Sequence, residues 1–186
     1  DENLHNANRM IVEARLQLER KAEEYAVFRL AEHLVKNTYE QLLEKAREAV
    51  LGDSSKIFSR ITSEEYREIT MPIDGKDRDF TAIPSGSKKA LTTNALSRGT
   101  REQLFLSVRL SRIKSIHPPL PVILDDSMAN FDPSHAREAV KLIAELAETH
   151  QVFVLTCHPE LLQYIESTGC PAQYWKLDKG IFSGPL

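Results

Sequence analysis

The N-terminal part of the chain carries a continuous helical pattern of apolar and polar positions. Residues 1–51 contain neither Gly nor Pro, and strong helix formers dominate them. Gly52, followed by polar residues 53–55, predicts that the helix stops there and restarts. A coiled-coil heptad with Lys21 as its one polar member is formed by Leu4, Ala7, Ile11, Ala14, Leu18, Tyr25 and Phe28. We therefore predict a coiled-coil arm helix over residues 1–52; the alternative is a long amphipathic helix packed on its own domain.

Residues 53–186 alternate between strand-like and helix-like patterns and are predicted to form a second domain. In chain order, the predicted elements are strands over 66–73 and 79–83 with the turn Asp74-Gly75 between them, a loop over 84–95, a strongly apolar helix over 99–116, a strand over 122–125, a helix opening at Asp132-Pro133, a strand over 152–156, a short helix opening at Pro159, and a hairpin of 173–177 and 181–182 around Lys179-Gly180. The strand–helix–strand order of 122–156 predicts a right-handed parallel crossover between two buried strands. The predicted fold class is therefore α/β with parallel core strands.

Composition narrows the class of protein. The 186 residues include 24 Lys and Arg against 27 Asp and Glu, for a formal net charge of −3, and 41% are hydrophobic. These values exclude a chain that is disordered throughout, a disulfide scaffold and a strongly basic nucleic-acid coat. No apolar run approaches the roughly 18 residues of a membrane span, and the two cysteines suit a reduced thiol state. We predict a cytoplasmic location and no membrane partner. Because no initiator Met is present, we expect a fragment or a processed product.

Two adjacent carboxylates and a histidine follow the two predicted core strands. Asp125-Asp126 end the first strand, and Thr156-Cys157-His158 end the second. Because the carboxyl ends of parallel strands meet at one edge of a sheet, Asp125, Asp126 and His158 are expected to lie at the same edge. Two acids after a buried strand require a cation or a hydrogen-bond network to hold them. The alternative is that one Asp caps the following loop while the other is solvated.

The segment before the apolar helix has the features of an anion site. Ser97, with its hydroxyl group, and Gly99 lie at the start of a helix, where backbone N–H groups face outward. Gly99 allows the backbone to approach a phosphate closely, and Arg98 and Arg101 add positive charge. The alternative is a routine Ser-capped helix without a ligand.

Other titratable residues carry weaker signals. We expect Cys157 to be buried at a strand end, and neither it nor Cys170 has metal-ligand spacing to a second Cys. Five histidines are expected at the surface without clustering: His5, His33, His117, His135 and His150. Seven basic residues, interrupted only by the acid Glu102, are Lys88, Lys89, Arg98, Arg101, Arg109, Arg112 and Lys114. This basic cluster is a candidate contact for DNA or nucleotide phosphates; the alternative is a solvated helix face.

Three motifs, in this order, resemble those of ABC-type ATPases. LSRGTREQ (96–103) is similar to the LSxGxxxQ signature, PVILDDSMANFD (121–132) to a Walker B strand with a D-loop, and LTCHP (155–159) to the switch-histidine strand. The long helix before them resembles the arm of the SMC, RecF and RecN branch, and the motif details are most similar to YhaN-type coiled-coil ATPases. The resemblance implies the C-terminal half of a P-loop NTPase head over 53–186, with ATP and Mg²⁺ as ligands.

The resemblance also implies contacts across a dimer. Ser97, Arg98 and Gly99 would contact the γ-phosphate of ATP that is held by a second head. Asp132 would be the D-loop acid that acts across the dimer. Gln103 would support the signature helix rather than take part in the chemistry.

Within one head, the resemblance implies three further roles. Asp125 would hold Mg²⁺, and His158 would contact the γ-phosphate. Asp126 stands where most of the family has Glu, the base that orients the attacking water. The side chain of Asp is one methylene shorter, which puts the strength of that base in question.

No Walker A motif is present, because G-x-x-x-x-G-K-[ST] does not occur in the sequence. We therefore expect the chain to be incomplete without an N-terminal Walker A lobe and to bind ATP weakly alone. The implied function is ATP hydrolysis in DNA repair or chromosome maintenance, with a second head as partner. The resemblance also implies DNA and a nuclease or other subunit as candidate partners. The sequence does not distinguish between them. Two alternatives are a nucleotide-gated coiled-coil scaffold without hydrolysis, and a metal-dependent phosphoesterase that uses Asp125, Asp126, Asp132 and His158 as ligands.

Overall fold

A computed structural model describes residues 2–71 and 79–185. The chain consists of two compact units, residues 1–47 and residues 48–186. The helices are α1 (Glu2–Ile61), α2 (Arg98–Lys114), α3 (Pro133–Ala147) and α4 (Pro159–Ser167), with a 3₁₀ turn at Thr93–Ala95. The strands are β1 (Tyr66–Thr70), β2 (Thr81–Pro84), β3 (Leu91–Thr92), β4 (Val122–Asp125), β5 (Val152–Leu155), β6 (Lys176–Asp178) and β7 (Ile181–Ser183). The predicted turn Asp74-Gly75 and the last two residues of the predicted strand 66–73 lie outside the described residues.

Helix α1 passes through Gly52 without a break, so the predicted helix stop is wrong. The polar residues after Gly52 support the helix instead of ending it. Ser54 and Ser55 donate their hydroxyl hydrogens to the carbonyls of Val50 and Leu51, at 2.6 and 2.7 Å. Side chains that bond back to the preceding turn are compatible with a continuing helix. The placement of a domain boundary at residue 52 stays a prediction.

The first unit consists of the N-terminal part of α1, and its apolar side chains lie at the surface. Among the predicted heptad residues, Ile11, Leu18 and Phe28 are 50, 69 and 72% exposed. The helix confirms the predicted secondary structure, while its coiled-coil pairing stays a prediction. Across the described residues, no helix contains an apolar stretch long enough to cross a bilayer.

The second unit contains the predicted parallel strand pair. Strands β4 and β5 pair in parallel, with Val122 opposite Val152 and Asp125 opposite Leu155. The intervening helix α3 buries one face, and Asp132 caps it by accepting hydrogen bonds from the backbone N–H groups of Ser134 and His135. The core that α3 joins contains Ile57, Ile61, Leu106, Leu110, Val122, Leu124, Ala139, Val140, Ile143 and Leu146. The predicted crossover order and the Asp132-Pro133 helix start are confirmed.

The other face of β4 and β5 is exposed, so the expectation that these strands are buried holds for one face only. Ile123 and Phe153 are 66 and 47% exposed, whereas Val122 and Leu124 are buried. This alternation arises because successive side chains of a strand point to opposite faces and α3 covers only one of them. An apolar sequence alone does not distinguish a strand covered on two faces from one covered on a single face.

A small antiparallel sheet positions the start of α2. Strands β1, β2 and β3 pair in that order, and β3 with the 3₁₀ turn occupies part of the segment 84–95 that was predicted as a loop. A second apolar cluster under this sheet contains Phe58, Ile69, Ala82, Leu96 and Leu104. The Ser55 hydroxyl joins α1 to β1 by accepting a hydrogen bond from the N–H of Ile69 at 2.8 Å.

The C-terminal hairpin forms around the predicted turn, but its first strand begins at Lys176 rather than at residue 173. Strands β6 and β7 pair antiparallel around Lys179 and Gly180, whose φ angles are +48° and +80°. Positive φ at both central residues is the geometry that a two-residue hairpin turn requires.

An ion pair between α1 and α3 gives a test of the packing in the second unit. Arg60 donates two hydrogen bonds to the carboxylate of Glu145, at 3.0 and 2.7 Å. This hydrogen-bonded contact with Arg60 holds the pKa of Glu145 below its ordinary value of 4.5, although partial burial opposes the shift. We expect Glu145→Gln to lower the free energy of unfolding at neutral pH by less than about 1 kcal/mol, because both side chains are nearly half exposed.

The pH dependence of this difference follows from the direction of the pKa shift. A carboxyl group whose folded-state pKa is lowered stabilises the fold above its unfolded-state pKa. The difference in unfolding free energy between Glu145→Gln and the parent should therefore shrink as the pH falls below about 4.5 and through the lowered folded-state pKa. Urea titrations at several pH values across that range measure this difference. Glu148→Gln is the matched control, since Glu148 is exposed and makes no ion pair with the described residues. Equal effects of both substitutions would contradict this account.

Candidate functional site

Asp126 follows β4 directly and is fixed by its backbone. Its N–H donates a hydrogen bond to the carbonyl of Leu155 in β5, at 2.8 Å. Its φ angle is +46°, in the left-handed region that Asp adopts more readily than most residues. Its carboxylate accepts a hydrogen bond from the Thr156 hydroxyl at 3.3 Å. The chain thus turns sharply after β4 and holds this carboxylate against the end of β5.

His158 reaches the same carboxylate from the N-cap position of α4, three residues after β5. Its Nε2 atom lies 3.7 Å from Oδ1 of Asp126, and its Nδ1 atom lies 3.5 Å from Oε1 of Glu160. The backbone N–H of His158 donates to the Thr156 hydroxyl at 3.0 Å, which fixes the residue at the start of α4. The imidazole ring of His158 therefore lies between two carboxylates. The sequence analysis missed the contact with Glu160.

Cys157 joins this group, and its expected burial is wrong. The residue is exposed, and its Sγ atom lies 3.9 Å from Oδ2 of Asp126. One ligand atom each of Asp126, Cys157 and His158 lies within 4.8 Å of the others. We call these three residues the strand-end cluster. Their side chains carry three different ligand chemistries at one sheet edge.

The structure separates the two adjacent acids. Asp125 is the last residue of β4 and is exposed on the same sheet face as Ile123. Within the described parts of the chain, the group of potential ligands that includes Asp126 includes neither Asp125 nor Asp132. The four-ligand arrangement of the phosphoesterase alternative is therefore not assembled in this structure.

The start of α2 is a capped helix N-terminus at the surface. The Ser97 hydroxyl oxygen accepts a hydrogen bond from the N–H of Thr100 at 3.1 Å and lies 2.8 Å from the Thr100 hydroxyl. Arg98 extends into solvent and forms an exposed ion pair with Glu102 at 3.1 Å. When the Thr100 hydroxyl donates to Ser97, the hydroxyl hydrogen of Ser97 is free for a ligand.

Gly99 is required by a protein contact. A Cβ atom at this position would lie 2.6 Å from the carbonyl oxygen of Asn130, closer than real Cβ atoms come to such an atom. The amide of Asn130 also donates to both carboxylate oxygens of Glu102, at 3.0 and 2.9 Å. The first turns of α2 are therefore docked on the segment that follows Asp126, which the sequence analysis did not anticipate.

A second link joins α2 to α3. The side-chain amide of Gln103 is buried and lies 3.0 Å from Nδ1 of His135, which is itself 2.6 Å from Oδ2 of Asp132. Partial burial would raise the pKa of Asp132, but hydrogen bonds from the Ser134 hydroxyl and from backbone N–H groups, together with His135, lower it. Gln103 thus links α2 to α3 through His135, and Asp132 serves as a helix cap in this structure. The role of Gln103 as support for the helix stays a prediction.

Two of the histidines that were expected at the surface lie elsewhere. His150 is buried, and His135 is held in the link with Gln103. Of the basic cluster, Arg98, Arg109, Arg112 and Lys114 are exposed on α2, while Arg101 is half-buried. The exposed members are free to meet a polyanion, and Arg98 shares its charge with Glu102.

The described contacts bring the predicted site residues into two groups. Asp126 and His158 meet in the strand-end cluster, while Ser97, Arg98 and Gly99 lie at the start of α2. Residues 126–132 connect the groups, since this segment begins at Asp126 and carries Asn130, which touches α2. A carboxylate and an imidazole at 3.7 Å can orient and deprotonate a water molecule, and an exposed helix N-terminus can bind an anion.

Solved structures with a similar fold include SMC head domains. No protein-family model and no curated protein matches the sequence. A chain from work on ATP-driven dimerization and DNA-stimulated activation of SMC ATPases matches with a TM-score of 0.61 and 18% identity, over 77% of this chain and 86% of that chain.

Two further matches are longer proteins. The Smc head domain with a coiled coil and joint from Pyrococcus yayanosii matches with a TM-score of 0.68 and 17% identity, over 97% of this chain and 35% of that chain. The Smc head domain with an extended coiled coil from Pyrococcus furiosus, bound to the C-terminal domain of ScpA, matches with a TM-score of 0.58 and 18% identity, over 71% of this chain and 34% of that chain. The chain thus spans about a third of both Pyrococcus chains.

These matches establish the fold. The chain has the mixed helix and sheet architecture of SMC head domains, with a long helix and a parallel strand pair. The predicted SMC-like head is confirmed at this level. The P-loop core and the YhaN-type relationship stay predictions, because identities of 17 to 18% carry the fold alone.

Proposed function

We propose that this chain is the C-terminal lobe of an SMC-like ATPase head, which hydrolyses ATP when a Walker A lobe completes it and two heads dimerise. The observation that carries the proposal is the 3.7 Å approach of His158 Nε2 to Asp126 Oδ1 at the ends of two parallel strands. Phosphoryl transfer depends mainly on positioning and charge stabilisation, which a carboxylate and an imidazole at this separation supply.

Asp126 acts as the base that orients the attacking water, and His158 contacts the γ-phosphate. Support for these roles comes from the fixed backbone of Asp126 and from Glu160, which holds His158 from the opposite side of its ring. Because Asp126 is exposed, a water molecule can reach its carboxylate. The imidazole then supplies a hydrogen-bond donor to phosphate oxygens.

Asp125 is proposed to hold Mg²⁺. Its carboxylate is exposed at the end of β4, and oxygen ligands of this type suit that ion. A bound Mg²⁺ would supply positive charge that neutralises phosphate oxygens. Asp125 contributes the anchoring oxygen, and Asp126, the proposed base, follows it directly in the chain.

Ser97, Arg98 and Gly99 are proposed to contact the γ-phosphate of ATP held by the second head. The exposed N-terminus of α2 offers unpaired N–H groups, the Ser97 hydroxyl and the charge of Arg98 to an anion. Asp132 lies on the connecting segment and is proposed to act across the same dimer. ATP then favours the closed dimer, because its contacts are complete only there, and hydrolysis reverses that preference.

The proposed setting is DNA repair or chromosome maintenance, with α1 as a coiled-coil arm. Exposed apolar heptad residues in the first unit support pairing of the arm with another helix. The exposed basic residues on α2 support contact with DNA phosphates. A nuclease or other subunit is a further proposed partner.

Mixing two inactive variants tests the proposed dimer. The protein for this experiment is the chain joined to its Walker A lobe, and the measured quantity is the rate of steady-state ATP hydrolysis. Ser97→Arg alone is expected to reduce turnover at least tenfold, because a bulky cation fills the anion site. Mixing it equally with Asp126→Asn should restore about a quarter of the parental turnover, since random pairing gives one intact site in half of the dimers.

Ser115→Arg is the matched control, because it adds the same side chain at the exposed C-terminal end of α2. Its turnover should equal that of the parent. A mixture that stays inactive would contradict the action of Ser97 across the dimer. ATP-driven dimerisation without turnover in the parent would favour the scaffold alternative, in which Asp126 has no catalytic role.

A further inference from the structure

The strand-end cluster combines ligands that a magnesium ATPase does not need together. Asp126 offers a carboxylate, Cys157 a thiol and His158 an imidazole nitrogen, and these ligand atoms lie within 4.8 Å of one another. The separations are 3.9 Å from Cys157 Sγ to Asp126 Oδ2 and 3.7 Å from His158 Nε2 to Asp126 Oδ1. Cys157 has no part in the proposed ATP chemistry, so its place here calls for a separate explanation.

The spacing fits a tetrahedral zinc ion. Zinc binds sulfur at about 2.3 Å and nitrogen or oxygen at about 2.0 to 2.2 Å, which places two ligand atoms about 3.3 to 3.6 Å apart. The separations of 3.9 and 3.7 Å end on the two oxygens of the Asp126 carboxylate and exceed that range by a few tenths of an ångström. The third pair, Cys157 and His158, lies within 4.8 Å, so rotation of these side chains brings the ligand atoms to zinc-binding distances.

Glu160 is a second, independent feature of a metal site. Its Oε1 atom lies 3.5 Å from Nδ1 of His158. A histidine that binds a metal through one ring nitrogen almost always donates its other N–H to such a partner, which fixes both tautomer and ring orientation. Here Nε2, the remaining nitrogen, faces Asp126.

The geometry points to a zinc site formed by Asp126, Cys157 and His158, with Glu160 orienting the imidazole. Thiolate and imidazole ligands select zinc-class ions, whereas Mg²⁺ prefers oxygen ligands. On binding, the thiol of Cys157 releases its proton to solvent, and the fourth position stays open to water because the cluster is at the surface.

This site has a regulatory consequence that rests on the proposed function. A zinc ion held there engages Asp126 and His158, the two side chains proposed to act on water and phosphate. Zinc occupancy and ATP turnover therefore exclude each other, so that zinc inhibits the ATPase.

Cobalt titration of the purified, reduced chain tests the site without ATP. Co²⁺ takes the place of zinc and gives a thiolate charge-transfer band when a cysteine binds it. We expect one Co²⁺ per chain, the band, and its displacement by Zn²⁺ but not by excess Mg²⁺. Cys157→Ser should abolish the band, whereas the matched control Cys170→Ser should keep it. A band that survives Cys157→Ser, or no band in the parent, overturns the proposed site.

The zinc affinity of Glu160→Gln shows whether Glu160 orients His158 in an organised site or whether three exposed side chains chelate zinc by chance. The loss of the orienting carboxylate should weaken zinc affinity by about 10- to 100-fold, which is the usual effect of such outer partners. Unchanged affinity would contradict the role of Glu160. In the joined ATPase, Cys157→Ser should raise the half-inhibitory zinc concentration at least tenfold, and an unchanged value overturns the regulatory part. A joined protein without any turnover contradicts the proposed function instead, and the cobalt result still decides the site.

Discussion

Asp126→Asn is expected to lower ATP turnover by roughly 10²- to 10⁴-fold in the joined, dimeric protein, the range typical for loss of a positioned general base. Asparagine keeps the size of the side chain but cannot accept a proton from water. The backbone hydrogen bond to Leu155 and the contact with Thr156 do not require the charge, so the fold should persist. Turnover is measured by steady-state phosphate release at saturating ATP.

The variant should still bind ATP and form the closed dimer. Because hydrolysis reopens the heads in the proposed cycle, the ATP-bound dimer of Asp126→Asn should outlast that of the parent in size-exclusion chromatography. Asp178→Asn is the matched control, since Asp178 is also an exposed aspartate at the end of a strand. Parental turnover in Asp126→Asn would show that another group orients the water.

Gly99→Ala is expected to destabilise the second unit by about 1 to 3 kcal/mol, the usual cost of forcing an extra carbon into a filled space. The added Cβ would meet the Asn130 carbonyl at 2.6 Å, and this neighbour is backbone that cannot rotate away. The shift should also strain the pair of hydrogen bonds between Asn130 and Glu102. The measurement is the urea midpoint of unfolding.

Gly52→Ala gives the opposite sign and serves as the control. Nothing lies within 4 Å of a Cβ at position 52, which is inside α1. Alanine in a helix interior stabilises by about 0.5 to 1 kcal/mol relative to glycine. If both variants shift the urea midpoint in the same direction, the close contact with Asn130 does not determine which residue position 99 accepts.

Local chemistry made several elements predictable from the sequence. Val122–Asp125 has the predicted bounds, because a short β-rich run between proline and turn residues has few alternatives. The helix after Asp132 and the turn at Lys179-Gly180 follow from residues that satisfy the backbone directly. Each of these features depends on a few neighbouring residues.

Features that depend on distant residues were not predictable in this way. Gly52 resembled a stop signal, but the packing of Ile57 and Ile61 in the core extends the helix beyond it. The contact of Gly99 with Asn130 and the approach of Gln103 to His135 join positions about thirty residues apart, for which local patterns give no signal. Asp126 and His158 were expected together only because parallel strands share an edge.

The exposed face of β4 and β5 has a consequence for the handling of this chain in solution. The pair forms a two-stranded sheet within the described residues, so each strand leaves one row of backbone groups without a partner strand there, beside apolar Ile123 and Phe153. Open strand edges with apolar side chains promote self-association. A dimer that forms in this way would grow with protein concentration and ignore nucleotide, whereas the proposed functional dimer requires ATP. Light scattering with and without ATP therefore distinguishes colloidal association from the assembly that matters for turnover.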